Sequence, residues 1–399
     1  MSETAALDHG LSRLGAGEPT LTDKVEFLSR PDAYPHPVGE VILRETHMSW
    51  VFLAGDRVYK LKKPVRFAYL DFSSLERREA ACRAEVSLNR RLASNVYIGV
   101  APLAVSAGSL AIGGAGAVTD WLVVMHRLND RRALDQVLLE RRLKAPHLDC
   151  LVATLVRFYR RARPVFVSAG AHLSEWSRSL AANRRVLLDP RFGLPPAPIR
   201  RIDWIQRRFV TQCCGKLAAR VLRRRIVDGH GDLRPEHIWL DREVRIIDCL
   251  EFNPRLRVVD PLDEIAFLDL ECERLGAAWA GRYIKTRVTR GLNDDLPIGL
   301  YGFYRSYRAT LRARLAIAHL CEAHPRTPEK WPPLARAYLA IAAREAASLE
   351  ALLRARQGRR ERGRRGGARS SRRAEVQWAG SRACPMRRSS PAGTAARYR

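Results

Sequence analysis

VDGHGDLRPEHIWLDREVRIIDCLE, residues 227–251, is the stretch whose reading decides the fold. Apolar and polar positions alternate so that residues 237–240 form one short strand and 244–247 a second, joined by a polar turn at Asp241, Arg242 and Glu243. Closing this hairpin brings Asp232 and Asp248 together, with His230 just before the first carboxylate and His237 inside the pair. Two carboxylates and two imidazoles so placed can hold a divalent cation and deprotonate a hydroxyl. Phosphoryl transfer needs that combination.

Working outward, residues 41–65 read as three antiparallel strands, VILRE, WVFLAG and RVYKLKKPV, joined by residues 46–49 and by a tight turn at Gly55 and Asp56. Val58, Lys60 and Lys62 share one face of the third strand by its period of two. Residues 73–93 form a helix capped by Ser73 and Ser74, with Glu85 in EVSLNRRL and Glu79 further up the same helix. The β pattern returns at 96–125 around AIGGAGA, which lacks the Lys-Ser/Thr of a phosphate cradle and reads as a hairpin turn. After Met125 the pattern turns helical, so 124–128 is the natural hinge between two lobes. Helices are expected at 131–143, 147–162, 173–186, 202–225, 300–320 and 331–353, with LPPAP at 194–198 as a break. The adjacent Cys213 and Cys214 are expected in the core.

HGDLRPEHI followed by IIDCLEFN resembles the catalytic and metal loops of the aminoglycoside phosphotransferase-like kinases, small-molecule relatives of protein kinases, with HGD in place of HRD and a lone Asp in place of DFG. THMSWVFLAGDRVYKLKKPVRF, EVSLNRRL and the stretch through DEIAFLDLECERLG are similar to a bacterial branch of that family, and the resemblance covers roughly 24–350. It implies an α+β, protein-kinase-like two-lobed fold, with a five-strand antiparallel β N-lobe carrying one helix and a mostly helical C-lobe. The organisation expected is a flexible arm at 1–23, N-lobe at 24–127, C-lobe at 128–356 and a disordered Arg-rich tail at 357–399. Some relatives of this branch carry a P-loop domain beyond this point; no GxxxxGK followed by Ser or Thr occurs in this sequence.

The resemblance further implies ATP-dependent transfer of the γ-phosphoryl group to a hydroxyl of a small-molecule acceptor. Asp232 is then the catalytic base and His230 the buttress of its loop. Lys60 or Lys62 would hold the nucleotide phosphates, paired with Glu85 or, failing that, Glu79. Backbone amides of residues 46–49, Ser49 included, would lie over the phosphates, and the backbone near Met125 would read the adenine edge. Asp248 would chelate Mg2+. His237 stands where relatives carry Asn, and its softer imidazole admits Mn2+ as well, unless Glu251 or Asn253 takes over that contact. Glu264 would hold the catalytic loop through its amides. Arg255, Arg257 and the set Tyr304, Arg305, Tyr307, Arg308 and Arg312 either meet an anionic acceptor or serve the surface and the C-lobe packing. The missing GxGxxG loop and His237 keep an alternative open: a nucleotide-binding pseudokinase that regulates a protein partner.

Composition agrees with a two-lobed globular enzyme: 399 residues, 46% hydrophobic and 28% charged. The net charge of +28 would ordinarily suggest nucleic acid, but only 8 of the 70 basic residues are Lys, a skew typical of a GC-rich genome. Nucleic acid is therefore expected only as non-specific contact by the Arg-rich tail. Eight scattered cysteines without a CxxC pair suit a reduced, cytoplasmic setting, and no membrane span is expected.

Overall fold

The computed structural model describes residues 18–379 except 68, 107, 323, 324 and 326, and of 359–379 the backbone alone. The N-lobe runs α1 (Leu21–Leu28), β1 (Val41–Glu45), β2 (Ser49–Ala54), β3 (Arg57–Lys62), β4 (Arg66–Phe67), β5 (Leu70–Asp71), α2 (Leu75–Asn89), β6 (Tyr97–Ser106), β7 (Ser109–Ile112) and β8 (Ala117–His126). Six of these strands form one antiparallel sheet in the order β1-β2-β3-β8-β6-β7. The expectation of five strands missed β7. Residues 109–112 pair with 103–106, so the glycine turn joins β7 to β8. Gly116 is required there, because a Cβ would stand 1.8 Å from the Val105 carbonyl oxygen.

Ser74 caps α2, its hydroxyl accepting from the Arg77 amide at 3.4 Å. The inward face of α2 carries Arg78, Cys82, Glu85 and Asn89 at helical spacing. Asp120 of β8 takes Arg78 at 2.7 Å and Lys24 at 2.8 Å, which lashes α1 and α2 to the sheet. That anchorage sets the rotation of α2 and aims Glu85 at β3.

The C-lobe comprises α3 (Leu134–Leu139), α4 (Ala145–Arg161), α5 (Ala169–Leu187), α6 (Pro196–Gln212), α7 (Cys214–Leu222), β9 (Val227–Asp228), β10 (Ile238–Leu240), β11 (Val244–Ile246), β12 (Val258–Val259), α8 (Pro261–Arg274), α9 (Ala278–Gly291), α10 (Leu300–Ala318) and α11 (Trp331–Ala379). Several boundaries differ from expectation. The prolines of LPPAP start a helix, with Pro196 as the first residue of α6, where a missing amide hydrogen costs nothing. The helix expected at 202–225 divides at Cys213, which is buried, while Cys214 is exposed. Helix α11 continues past the boundary expected at 356, through a run rich in the good helix former Arg. Residues 1–17 of the expected arm and 380–399 of the expected tail lie outside the described residues.

Helix α8 is the axis of the C-lobe, buried from Pro261 to Cys272. Its carboxylates, with the capping Asp260, meet arginines from the helices around it: Asp260 with Arg220 at 2.6 Å, Asp263 with Arg308 at 2.6 Å, Asp269 with Arg305 at 2.6 Å and Glu271 with Arg312 at 2.9 Å. Among the described residues no helix is long and apolar enough to cross a membrane.

Candidate active site

Two loops, strand β3 and helix α2 converge between the lobes. The loop 229–234 is held from below by Glu264, whose carboxylate accepts from the amides of His230, at 3.0 Å, and Gly231, and from the Tyr159 hydroxyl at 2.9 Å. Gly231 has φ +91°, and a Cβ would stand 2.9 Å from Leu250, so only glycine lets the loop turn here. His230 is fully buried. Its Nδ1 accepts from the Asp232 amide at 3.2 Å, which leaves Nε2–H to donate to the Ile247 carbonyl at 2.9 Å. One imidazole thus clamps the Asp232 loop to the Asp248 loop. Burial, reinforced by His237, pushes its pKa down to about 4.

Asp248 sits in the left-handed region at φ +62°, which aspartate tolerates better than most residues. This turn directs the following Cys249 amide to Asn89 of α2 at 2.9 Å. The Asp248 carboxylate receives Lys60 Nζ at 3.1 Å, and Lys60 also reaches Glu85 at 2.9 Å. Lys60 beside it holds the Asp248 carboxyl far below the usual carboxylate range, against burial. On the Lys60 side burial works to lower the pKa, but Asp248, Glu85 and Glu251 outweigh it, and the amine stays charged.

Lys62 lies on the same face of β3 but is fully buried, between Glu85 at 2.6 Å and Glu251 at 2.5 Å, with its amine over the Phe72 ring. Both lysines therefore share Glu85, and Lys60 alone of the two contacts Asp248. Glu79 pairs with Arg83 at 2.8 Å on the exposed side of α2 and is out of reach. Glu251 is committed to Lys62, and Asn253 caps a short turn by accepting from the Arg255 amide at 3.1 Å, so neither replaces His237.

His237 Nδ1 donates to the Asp232 carbonyl oxygen at 2.9 Å, leaving the Nε2 lone pair 3.5 Å from Asp248 Oδ2. Among the described residues no group of three or more His, Cys, Asp or Glu side chains is arranged to hold a metal. The donor set is Asp248, joined by His237 Nε2 only once Arg234, 3.2 Å from that nitrogen, gives way; phosphate oxygens and water can complete it, as suits a nucleotide-bound divalent ion. Arg234 is the residue that sequence reasoning missed. Its guanidinium reaches Asp232 at 3.0 Å, Glu236 at 2.6 Å and His237 Nε2 at 3.2 Å. Burial would raise the Asp232 pKa, but Arg234, His237 and Arg312 overcome it and keep the carboxylate ionised.

Two expected nucleotide contacts are corrected. Ser49 is 2% exposed, and its amide donates to Thr46 Oγ1 at 2.9 Å while Thr46 N donates back to Ser49 O at 2.8 Å. The turn closes on itself, so the Ser49 amide is not free for a phosphate. Met125 lies inside the sheet between Val58 and Tyr97, and the amides that follow, of His126 and Arg127, donate to Val96 O and Asp56 O at 2.8 Å each. Met125 contributes an apolar wall with Val58, Leu128 and Ile247 instead of a backbone reader. The α10 arginines also resolve: Arg305, Arg308 and Arg312 each serve α8 carboxylates, and Arg257 binds Asp228 at 2.7 Å.

The antiparallel sheet, the Lys60–Glu85 pair and the two Asp-bearing loops define a protein-kinase-like fold. No protein-family model matches the chain. It is 35% identical over 299 residues to uncharacterised proteins of Mycobacterium tuberculosis and Mycobacterium bovis, covering 73% of this chain and 58% of theirs, so it spans little more than half the length of those relatives. Solved structures with a similar course include a choline kinase from Cryptosporidium parvum (9% identity, 82% of this chain and 96% of that one, TM-score 0.48). A choline/ethanolamine kinase family protein from Mesorhizobium loti follows (15%, 83% and 94%, 0.44). An aminoglycoside phosphotransferase from Streptomyces rimosus was solved with ADP and streptomycin (18%, 72% and 98%, 0.42). At these scores the fold assignment rests on the strand order and loop geometry of the chain itself.

Two outcomes follow from the geometry. Lys62→Met leaves Glu251 buried without its cation and is expected to cost about 3–5 kcal/mol in urea denaturation, whereas Lys60→Met, at a partly open position, costs clearly less. His230 is neutral when folded down to about pH 4, while an unfolded histidine protonates near 6.5. Its contribution to stability is complete above about pH 6.5 and is lost as pH falls toward 4, because only the unfolded chain takes up the proton. His230→Gln should flatten the denaturation midpoint against pH across that window.

Proposed function

We propose that the protein is an ATP-dependent phosphotransferase that moves the γ-phosphoryl group to a hydroxyl of a small molecule. The observation that carries this reading is the chain of contacts from Glu85 through Lys60 to Asp248 and on to His237 and Asp232, residues from four separate segments.

The acceptor hydroxyl hydrogen-bonds to Asp232, which orients it and takes its proton as the new O–P bond forms and the β–γ bridging P–O bond breaks, leaving ADP. Arg234 keeps Asp232 in its acceptor-only, ionised form and adds positive charge next to the transferring group. Lys60, fixed by Glu85, neutralises phosphate oxygens on the other side. Asp248 and His237 Nε2 would hold a divalent ion, Mg2+ or Mn2+, which supplies further charge neutralisation when bound. His230 and Glu264 keep the two loops in register.

The test is ATP turnover by 31P NMR against a library of hydroxylated metabolites, with Mg2+ and with Mn2+. Turnover that falls about 100-fold or more in Asp232→Ala is the expected result, and His237→Asn should shift the preference toward Mg2+. Nucleotide-induced stabilisation without turnover, indifferent to Asp232→Ala, would instead favour the pseudokinase reading.

A further inference from the structure

Beside Asp232 a cavity of about 440 Å3 opens between α5, α10 and the 250–260 segment. Its size falls within the roughly 300–1,000 Å3 usual for small-molecule sites. The walls are largely apolar and aromatic, with Met48, Tyr69, Trp176, Phe252, Phe267 and Leu311 prominent.

The charges around it are unevenly committed. Each lining carboxylate already has a cation: Asp232 has Arg234, Asp260 has Arg220, Asp263 has Arg308 and Glu175 has Arg178. Two of the lining arginines are likewise committed, Arg308 to Asp263 and Arg312 to Glu271. Arg314 is not. It lines the cavity, is half-buried, and among the described residues has no carboxylate partner. Burial, then the neighbouring Arg185, disfavours its charge, with Tyr307 and Tyr69 as partial offsets. Arg255 adds an exposed cation that also has no side-chain partner among the described residues.

Two of the lining aromatic rings are engaged as well, while Tyr69 stays partly exposed beside Phe252. Phe267 carries Arg308 at 5.1 Å and Arg312 at 5.9 Å, and Trp176 is packed against Phe303, Tyr304 and Tyr307. An organic cation entering here would find neither a free carboxylate nor an open aromatic cage, and would lie near an uncompensated guanidinium. An anion would complete Arg314 with a charge-assisted hydrogen bond.

We infer that this cavity takes an acceptor with an apolar or aromatic body and an anionic group, that Arg314 binds the anionic group, and that cationic amino-alcohols are excluded. The inference rests on the phosphotransferase reading for the word acceptor; the ligand chemistry stands on the cavity itself. A carboxylate held by Arg314 leaves the hydroxyl end of an elongated ligand to reach Asp232, which lines the same cavity.

The experiment is calorimetric titration of the full chain, without nucleotide, with a series of para-hydroxyaryl carboxylates of graded chain length, their methyl esters, and choline. The carboxylates are expected to bind at least about 10-fold more tightly than the esters, and choline not at all. Arg314→Ala should abolish the preference and Arg314→Lys retain part of it. The inference is overturned if choline or the esters bind as well as the carboxylates, if no carboxylate of the series binds, or if Arg314→Ala leaves the preference intact. Stabilisation by an ATP analogue is measured on the same preparations. Its absence alongside carboxylate binding would remove the phosphotransferase reading and leave the ligand assignment, while its presence without carboxylate binding would do the reverse.

Discussion

Glu85 holds two lysines at once, and the relation between the lobes depends on that. Through Lys60 it reaches Asp248, and through Lys62 it reaches Glu251, so two residues of β3 are tied to two residues of the 248–251 loop by one helix carboxylate. The arrangement is buried, and charges in such a place are tolerated only when every one of them is matched. Two lysines facing three carboxylates leave one negative charge over, and Asp248, the most exposed of the set, is the member open to a ligand.

The same logic governs the other side of the cleft. Glu264 presents its carboxylate to loop amides and so fixes the backbone on which Asp232 rides. Helix α8 can be polar and buried at once because arginines from α7 and α10 reach each of its remaining carboxylates. The Asp232 carboxylate is therefore positioned by main-chain hydrogen bonds and kept ionised by Arg234, two separate devices acting on one residue. Among the described residues of the C-lobe cavity, Arg308 and Arg312 are paired with carboxylates while Arg314 has no such partner.

Much of this was legible in the sequence, for a physical reason. Asp232, His230, His237 and Asp248 lie within one hairpin, whose register follows from local alternation, so their convergence needs no long-range information. The Glu264 contact was readable through the resemblance, from its place at the start of a helix after the 248–251 loop. Lys60 and Glu85 could be paired only through resemblance, since 25 residues and a helix separate them. What stayed hidden was set by tertiary partners. Lys62 stood as a close second to Lys60, and only Glu251, far along the chain, shows it buried between two carboxylates. Arg234 was one arginine among many. Ser49 was placed correctly on its turn, but nothing local announced that Thr46 would capture its amide. Helix α9 escaped because half of its inward face, Ala280 and Gly281 beside Ile284 and Val288, is small and weakens apolar periodicity.

The central claim is that Lys60 and Asp248 form a metal-dependent nucleotide site. Calorimetric titration of a non-hydrolysable ATP analogue into the wild-type protein and into Asp248→Asn, each with Mg2+ and with chelator, tests it most directly. The account predicts binding that needs the metal in the wild type and loses that dependence, together with most of its affinity, in the variant. Equal affinity with and without metal, or binding unchanged by Asp248→Asn, would contradict it.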